Sequence, residues 1–417
     1  MTRATWKEWI VGFIGLALLF ALMVTAIHQL FTLEAAGAND FYPRYRGAVL
    51  FWQEGVDPYS PAATEAIQRD MYGRLALPEE DQVLFVYPFY VTFMLLPLVW
   101  LPVSYSWIQA IWLTTLLVVM VTAVLLTIRL VDWKMPSWLL ALTLLWAVLF
   151  YNNARTIILG QFAAFVFLWL VLGLLALKGG RDGWAGLFLA LTTIKPQMVL
   201  FVLPALLLWA VWQRRWRFVF GFGAAMAGLL AASFLLLPSW LTGFIEQVNA
   251  YPGYTVTPSP LWIITQYYFP ILGRPVELGL TVVLVLYMLY LWRRLVKLPA
   301  YSREMLLILG VTMIVNNMVL VRTATTNFIV LYIPILLCLR LLAERTRRGL
   351  LWVTLFYAIS IFSLWVLFLS TLEGDQEHVI MFLPLPVLLL RALIWLLSKP
   401  LQTSALQSVL PREEPIP

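Results

Sequence analysis

Apolar runs long enough to cross a bilayer follow one another along this chain, and they constrain its fold more than anything else in it. Ile10 to Leu30 carries no charged residue over 21 positions, and Tyr105 to Ile128 and Gly349 to Thr371 are equally free of charge. A helix needs about 20 such residues to cross roughly 30 Å of hydrocarbon. Within a bilayer every backbone N–H and C=O must be satisfied inside the protein, so uninterrupted runs of this length are helical. Hydrophobic residues make up 62% of the 417 positions and charged residues 12%, whereas a soluble domain is about 45–50% apolar. The expectation is an all-α polytopic membrane protein.

Twelve spans are expected, at 10–30, 105–130, 136–151, 160–177, 183–194, 197–212, 218–237, 276–292, 303–320, 327–342, 350–371 and 379–398. The first exceeds the 7–15 residues of a signal-peptide core, so it reads as a retained anchor despite Ala36-Gly37-Ala38 beyond it. Segment 83–103 is apolar but carries Pro88, Pro97 and Pro102, and is read as lying along the membrane. With that choice one side of the membrane holds 19 Lys/Arg and 7 Asp/Glu, the other 8 and 14. The positive-inside rule makes the first side cytoplasmic, with both termini on it. Counting 83–103 as a crossing would invert every basic cluster downstream. The chain then reads as one integral membrane domain, 1–400, with long outer loops at 31–104 and 238–275 and a cytoplasmic tail at 401–417. In the first loop, Ser60 to Gly73 has the signature of a short surface helix with a proline near its start. In the second, Tyr251-Pro252-Gly253-Tyr254 and Pro258-Ser259-Pro260 suit a rim or lid.

The net charge of +7 is spread over short clusters between spans, so it does not point to nucleic acid. One cysteine, Cys338, excludes an intrachain disulfide, and two distant histidines, His28 and His378, leave no His-rich metal site. No DxD or ligand cluster appears; no cofactor is called for, and a divalent cation, though compatible with the chemistry, is not indicated.

The same topology places the uncommon polar residues on the outer face. Asn39-Asp40-Phe41-Tyr42-Pro43-Arg44-Tyr45-Arg46 follows the first span; Asn152, Asn153, Arg155 and Gln161 occupy a later outer turn; Lys195-Pro196-Gln197 the next; Asn316, Asn317, Arg322, Thr323, Thr325, Thr326 and Asn327 another. Charges this close to a bilayer mark functional sites. Cations at headgroup depth suit a phosphate, and a single carboxylate suits activation of a hydroxyl. Each residue also has a structural reading. Asp40 can pair with Arg44, Lys195 can snorkel, Gln161 can cap a helix, Arg155 and Arg322 can anchor loops, and Asp57-Pro58-Tyr59 can be a plain turn.

Asp40-Phe41-Tyr42 with Gly55-Val56-Asp57-Pro58-Tyr59, then Tyr87-Pro88, Leu95-Leu96-Pro97-Leu98 and Leu101-Pro102, then Gly160-Gln161, Ala185-Gly186-Leu187 and Ile194-Lys195-Pro196 form an ordered set over about residues 1–210. In this the chain resembles glycosyltransferase family 87, polyprenyl-phosphate-sugar-dependent transferases of the GT-C fold that include phosphatidylinositol-mannoside mannosyltransferases. The resemblance implies that Asp40 is the catalytic base and that Lys195 belongs to the donor-phosphate region. Where many members carry a Trp/His-containing segment, this chain has Val321-Arg322-Thr323-Ala324-Thr325-Thr326-Asn327, so no histidine role carries over.

The expected activity is an inverting transfer of a hexose, mannose foremost, from a polyprenyl-phosphate donor to a lipid or glycan hydroxyl on the outer face of the cell membrane. Asp40 is the candidate base; Lys195, Arg155 and Arg322 are candidates for the donor phosphate; Arg44, Tyr87, Asn153, Gln161, Gln197 and Asn327 are candidates for substrate contacts. The competing readings are a secondary transporter, which needs ionisable groups near the bilayer midplane, and a non-catalytic membrane scaffold.

Overall fold

A computed structural model of the chain describes residues 5–34, 40–251, 258–320, 323–372 and 377–398, and every regular element among them is helical. The expected tail and Arg322 lie outside the described residues.

Helix α1 (Trp6–Ile27) continues into a π-helical turn, His28–Thr32. Its apolar surface is almost wholly exposed, as suits a lipid-facing anchor. It is held at its far end, where the His28 ring stacks on Trp107 (3.7 Å between centroids) and the Thr32 hydroxyl donates to the Ser106 carbonyl (2.8 Å). The first outer loop then forms α2 (Tyr42–Glu54), α3 (Pro61–Tyr72), an extended stretch, and α4 (Val91–Val99). Helix α3 starts as its sequence dictates: the Ser60 hydroxyl accepts the Ala63 N–H, and Pro61 takes the first position. Arg46 ties α2 to α3 through Asp70 (2.9 Å) and pairs with Glu54 (2.7 Å) within α2. Helix α4 has nine residues and rises about 14 Å, too little to cross the bilayer.

Then come α5 (Tyr105–Leu130), α6 (Ser137–Leu149), α7 (Tyr151–Ile158), α8 (Ala163–Lys178), α9 (Asp182–Leu191), α10 (Val202–Trp212), α11 (Trp216–Leu236), α12 (Trp240–Ala250), the short α13 (Pro260–Trp262) widening into a π-turn, α14 (Gly273–Leu295), α15 (Arg303–Val319), α16 (Tyr332–Arg345), α17 (Gly349–Thr371) and α18 (Pro384–Ser398). Among the described residues seven helical segments are long and apolar enough to cross a membrane, or eight if α6 and α7, bent by 56°, form one broken span. The other four of the twelve expected spans fall on α8, α9, α10 and α15, which have 16, 10, 11 and 17 residues. At 1.5 Å per residue each of these covers at most about 26 Å, so length alone supports fewer full crossings than the sequence count. Helix α9 is held by close backbone approach to α11: a Cβ on Gly186 would sit 2.3 Å from the Phe218 carbonyl oxygen, the small-residue contact typical of membrane helices.

The loops assigned to one side of the membrane do gather at one end. Lys178 pairs with Asp132 (2.6 Å), and Arg215 with Asp182 (2.7 Å). Gln213 donates to the Val296 carbonyl (2.7 Å), Tyr301 donates to Asp132 (2.6 Å), and Arg340 donates to the Val131 carbonyl.

Candidate active site

At the opposite end three chain breaks meet. The first is the start of α2, where Asp40 precedes the helix by two residues. The second is the α7–α8 junction. There Gly160 adopts φ +71°, its N–H bonds the Ile157 carbonyl (2.9 Å), and the next N–H, that of Gln161, bonds the Thr156 carbonyl (2.9 Å). This pair of bonds closes a helix C-terminus on a left-handed glycine. The Trp112 indole N–H holds the Gly160 carbonyl (2.9 Å) from α5. The third break follows α9. Pro196 disfavours helical backbone at Lys195, which leaves the helical region (φ −133°, ψ 73°) between two 3₁₀ turns. The freed backbone groups find partners: Asn316 of α15 donates to the Gln197 carbonyl (2.8 Å) and accepts the Phe201 N–H (3.1 Å), while the Tyr90 hydroxyl donates to the Thr193 carbonyl (3.0 Å).

These breaks converge on a cavity of about 330 Å³. Asp40, Arg44, Tyr87, Gln161, Lys195, Gln197 and Asn327 line it, so seven sequence candidates from five separate segments share one site. The Gln161 amide stands at its centre: its Nε2 donates to Asp40 Oδ2 (2.6 Å) and its Oε1 accepts from Lys195 Nζ (2.6 Å). The Tyr87 hydroxyl donates to the same Oε1 at 3.4 Å. Lys195 is 4% exposed; it does not snorkel. Burial pulls its ammonium down to about 7, opposed by the Asp40 charge and assisted by Arg44. Burial likewise raises the Tyr87 phenol, against the Arg44 charge. Arg44 packs over the Tyr87 ring (4.9 Å to its centroid) rather than closing an ion pair with Asp40. Asn327 is 3% exposed, and its Oδ1 has no hydrogen-bond partner among the described residues.

Two candidates are placed elsewhere. Arg155 lies over the Phe368 ring (5.3 Å), and Asn153 donates to the Ala147 carbonyl (2.5 Å) across the α6–α7 bend. Neither lines the cavity. The bend frees the Ala147 carbonyl, which the Asn153 side chain turns inward to satisfy. Asn152 donates to the Thr325 carbonyl of a distant segment (2.9 Å), and Tyr151 donates to Glu377 (2.7 Å), which also accepts from the Thr325 hydroxyl (2.8 Å). Helix α7 thus supports the 323–327 wall of the cavity. Burial pushes the Glu377 carboxyl up, against these two hydrogen bonds and Arg155. Asp57 serves a turn, accepting the Tyr59 N–H (2.8 Å) and the Ser239 hydroxyl (3.2 Å).

The sequence reading missed α12. Phe244, Val248 and Tyr251 close one side of the cavity, and their i, i+4, i+7 spacing was a legible helical stripe. The helix docks on the first loop, with Gln247 donating to the Tyr59 carbonyl (3.0 Å). Val248 and Leu200 are 41% and 47% exposed, so the rim between them is apolar and open. A second cavity, about 290 Å³ among α16, α17 and α18, is lined almost wholly by apolar side chains, with Cys338 its one titratable group; it holds no comparable chemistry.

The sequence profile of glycosyltransferase family 87 matches residues 85–323. That range contains Tyr87, Gln161 and Lys195 and ends at Thr323; Asp40 and Asn327 lie outside it. No curated protein and no solved structure matches the chain. The family match spans more than half of a chain that is helical, apolar and gathers its polar groups into one cavity: this protein belongs to glycosyltransferase family 87 and is a membrane glycosyltransferase.

Proposed function

We propose that the chain transfers a hexose, mannose foremost, from a polyprenyl-phosphate donor to a hydroxyl of a lipid or glycan acceptor on the outer face of the cell membrane, with inversion at the anomeric carbon. One observation carries the reading: a carboxylate and a buried ammonium share a small cavity with an apolar open rim. The volume is at the low end for small-molecule sites, enough for one sugar and its phosphate, while an isoprenoid chain leaves across Leu200 and Val248 into lipid. The open, apolar rim is what favours a lipid-linked donor over a nucleotide sugar.

In this reading the acceptor oxygen attacks the anomeric carbon as the bond from that carbon to the phosphate oxygen breaks. The acceptor proton passes to Asp40, whose Oδ1 is left for it because Oδ2 is held by Gln161. Charge grows on the departing polyprenyl phosphate and is met by Lys195, with Arg44 at the same wall. A double displacement with retention needs a second carboxylate facing the sugar; among the residues lining the cavity Asp40 is the one carboxylate. Arg155 has no part in this scheme. Asn327 and Gln197 are placed to bind sugar or acceptor hydroxyls.

The test is reconstitution of the purified protein in vesicles with a polyprenyl-phosphate mannose and a mixture of lipid acceptors. Release of free polyprenyl phosphate with formation of an α-linked product from a β-linked donor is the expected result. Turnover with a nucleotide sugar in place of the lipid-linked donor, or a product of retained configuration, refutes the proposal.

A further inference from the structure

Gln161 is buried, 9% exposed, and its side chain is not needed for the helix end it sits on. The backbone N–H alone completes that cap, through the Thr156 carbonyl. The amide instead stands between Asp40 and Lys195, 2.6 Å from each. Only one orientation fits. A flipped amide would aim its NH₂ at an ammonium and its carbonyl at a carboxylate. Each contact is charge-assisted, and such bonds hold geometry more tightly than neutral ones. The bridge also explains why Asp40 and Lys195 face each other's field without neutralising each other in a direct ion pair. A direct pair would occupy both the proton acceptor and the phosphate-binding cation.

We infer that Gln161 is a positioning residue that separates and aligns Asp40 and Lys195, keeping one carboxylate oxygen open for the acceptor proton and the ammonium turned to the donor phosphate. This rests on the roles proposed above for those two residues. Other charged or titratable groups around the trio are Arg44 from the first loop, Asp81 and Tyr87 from the extended segment, and Tyr251 at the end of α12; Asp81 feels the charges of both Asp40 and Arg44.

Two variants test it through pH–rate profiles. In Gln161→Leu both groups lose their tether, so kcat is expected to fall by about 10- to 100-fold and donor KM to rise as the ammonium turns away from the phosphate. Gln161→Glu keeps the shape but places a second carboxylate against Asp40. Two carboxylates sharing one site do not both stay ionised, so the acidic limb of kcat is expected to move up by about one pH unit or more, with activity recovering at alkaline pH. Two results overturn the inference: wild-type kcat in Gln161→Leu, or an acidic limb in Gln161→Glu that stays where the wild type has it. Asp40→Asn, run alongside, separates the levels. If it is inactive while both Gln161 variants behave as wild type, the bridge has no role and the base assignment stands. If Asp40→Asn turns over normally, the base assignment fails and the inference fails with it.

Discussion

Replacing Lys195 by methionine removes the cavity's buried ammonium while keeping an unbranched chain of similar length. Lys195 is 4% exposed and its ammonium donates to a neutral amide, that of Gln161. It is therefore available to a phosphate without first breaking an ion pair. A hydrogen bond between charged partners contributes about 1.5–3 kcal/mol, so donor affinity in Lys195→Met is expected to fall by about 10- to 150-fold. The size of the effect depends on pH. Because burial holds this lysine at about 7, before the donor binds the group is charged at pH 6 and mostly neutral at pH 8.5. A donor that binds the charged form 10- to 150-fold better must raise the lysine by about 1–2 pH units in the complex. Wild-type donor Kd should accordingly be flat below pH 7, weaken up to tenfold per pH unit above it, and level off near pH 8–9. Lys195→Met should be flat throughout and meet the wild type at the alkaline plateau. Lys195→Arg keeps its charge and should lose the pH dependence, with imperfect placement of its planar fork. The assay is equilibrium binding of a non-hydrolysable polyprenyl-phosphonate sugar to the detergent-solubilised protein between pH 6 and 9. Equal Kd for wild type and Lys195→Met at pH 6 would refute the role of this cation.

Asp40→Asn keeps the shape of the side chain but cannot take a proton, so turnover should drop by roughly 10²–10⁴, far more than donor Kd changes through the lost support of the Lys195 charge. Arg155→Gln should leave donor Kd unchanged, because Arg155 packs on Phe368 outside the cavity; a loss of donor affinity comparable to that of Lys195→Met would return Arg155 to the site. Sidedness is checked in a Cys338→Ala background with single cysteines at Arg181 and Glu79, both exposed: an impermeant maleimide should reach Glu79→Cys from outside the cell and Arg181→Cys only after permeabilisation, and the reverse pattern would overturn the proposed orientation.

Much of this architecture was legible in the residues themselves. Membrane spans are a local property: charge-free runs and the basic loops between them are written contiguously, and the loops so assigned to one side do meet at one end, as the Lys178–Asp132 and Arg215–Asp182 pairs show. Breaks are local too. Pro196 interrupts the helix at Lys195 and Gly160 ends α7, because each restricts or frees its own backbone, and so both carriers of the site stood out in sequence. What the tertiary structure decided was where side chains at those breaks point. Arg155 and Asn153 read like Gln161, polar and outer, yet a 56° bend between α6 and α7 turns them toward unsatisfied carbonyls and an aromatic ring. Gln161, at the far end of the same short helix, meets Asp40 from 121 positions earlier and Lys195 from 34 positions later. Phe244 and Val248 become a cavity wall only because α12 docks on Tyr59, 188 positions from Gln247. Hydropathy and turn chemistry report what a residue does to its own backbone, whereas the angles at which helices bend and pack, set by contacts far apart in sequence, decide which of several similar polar side chains share a cavity.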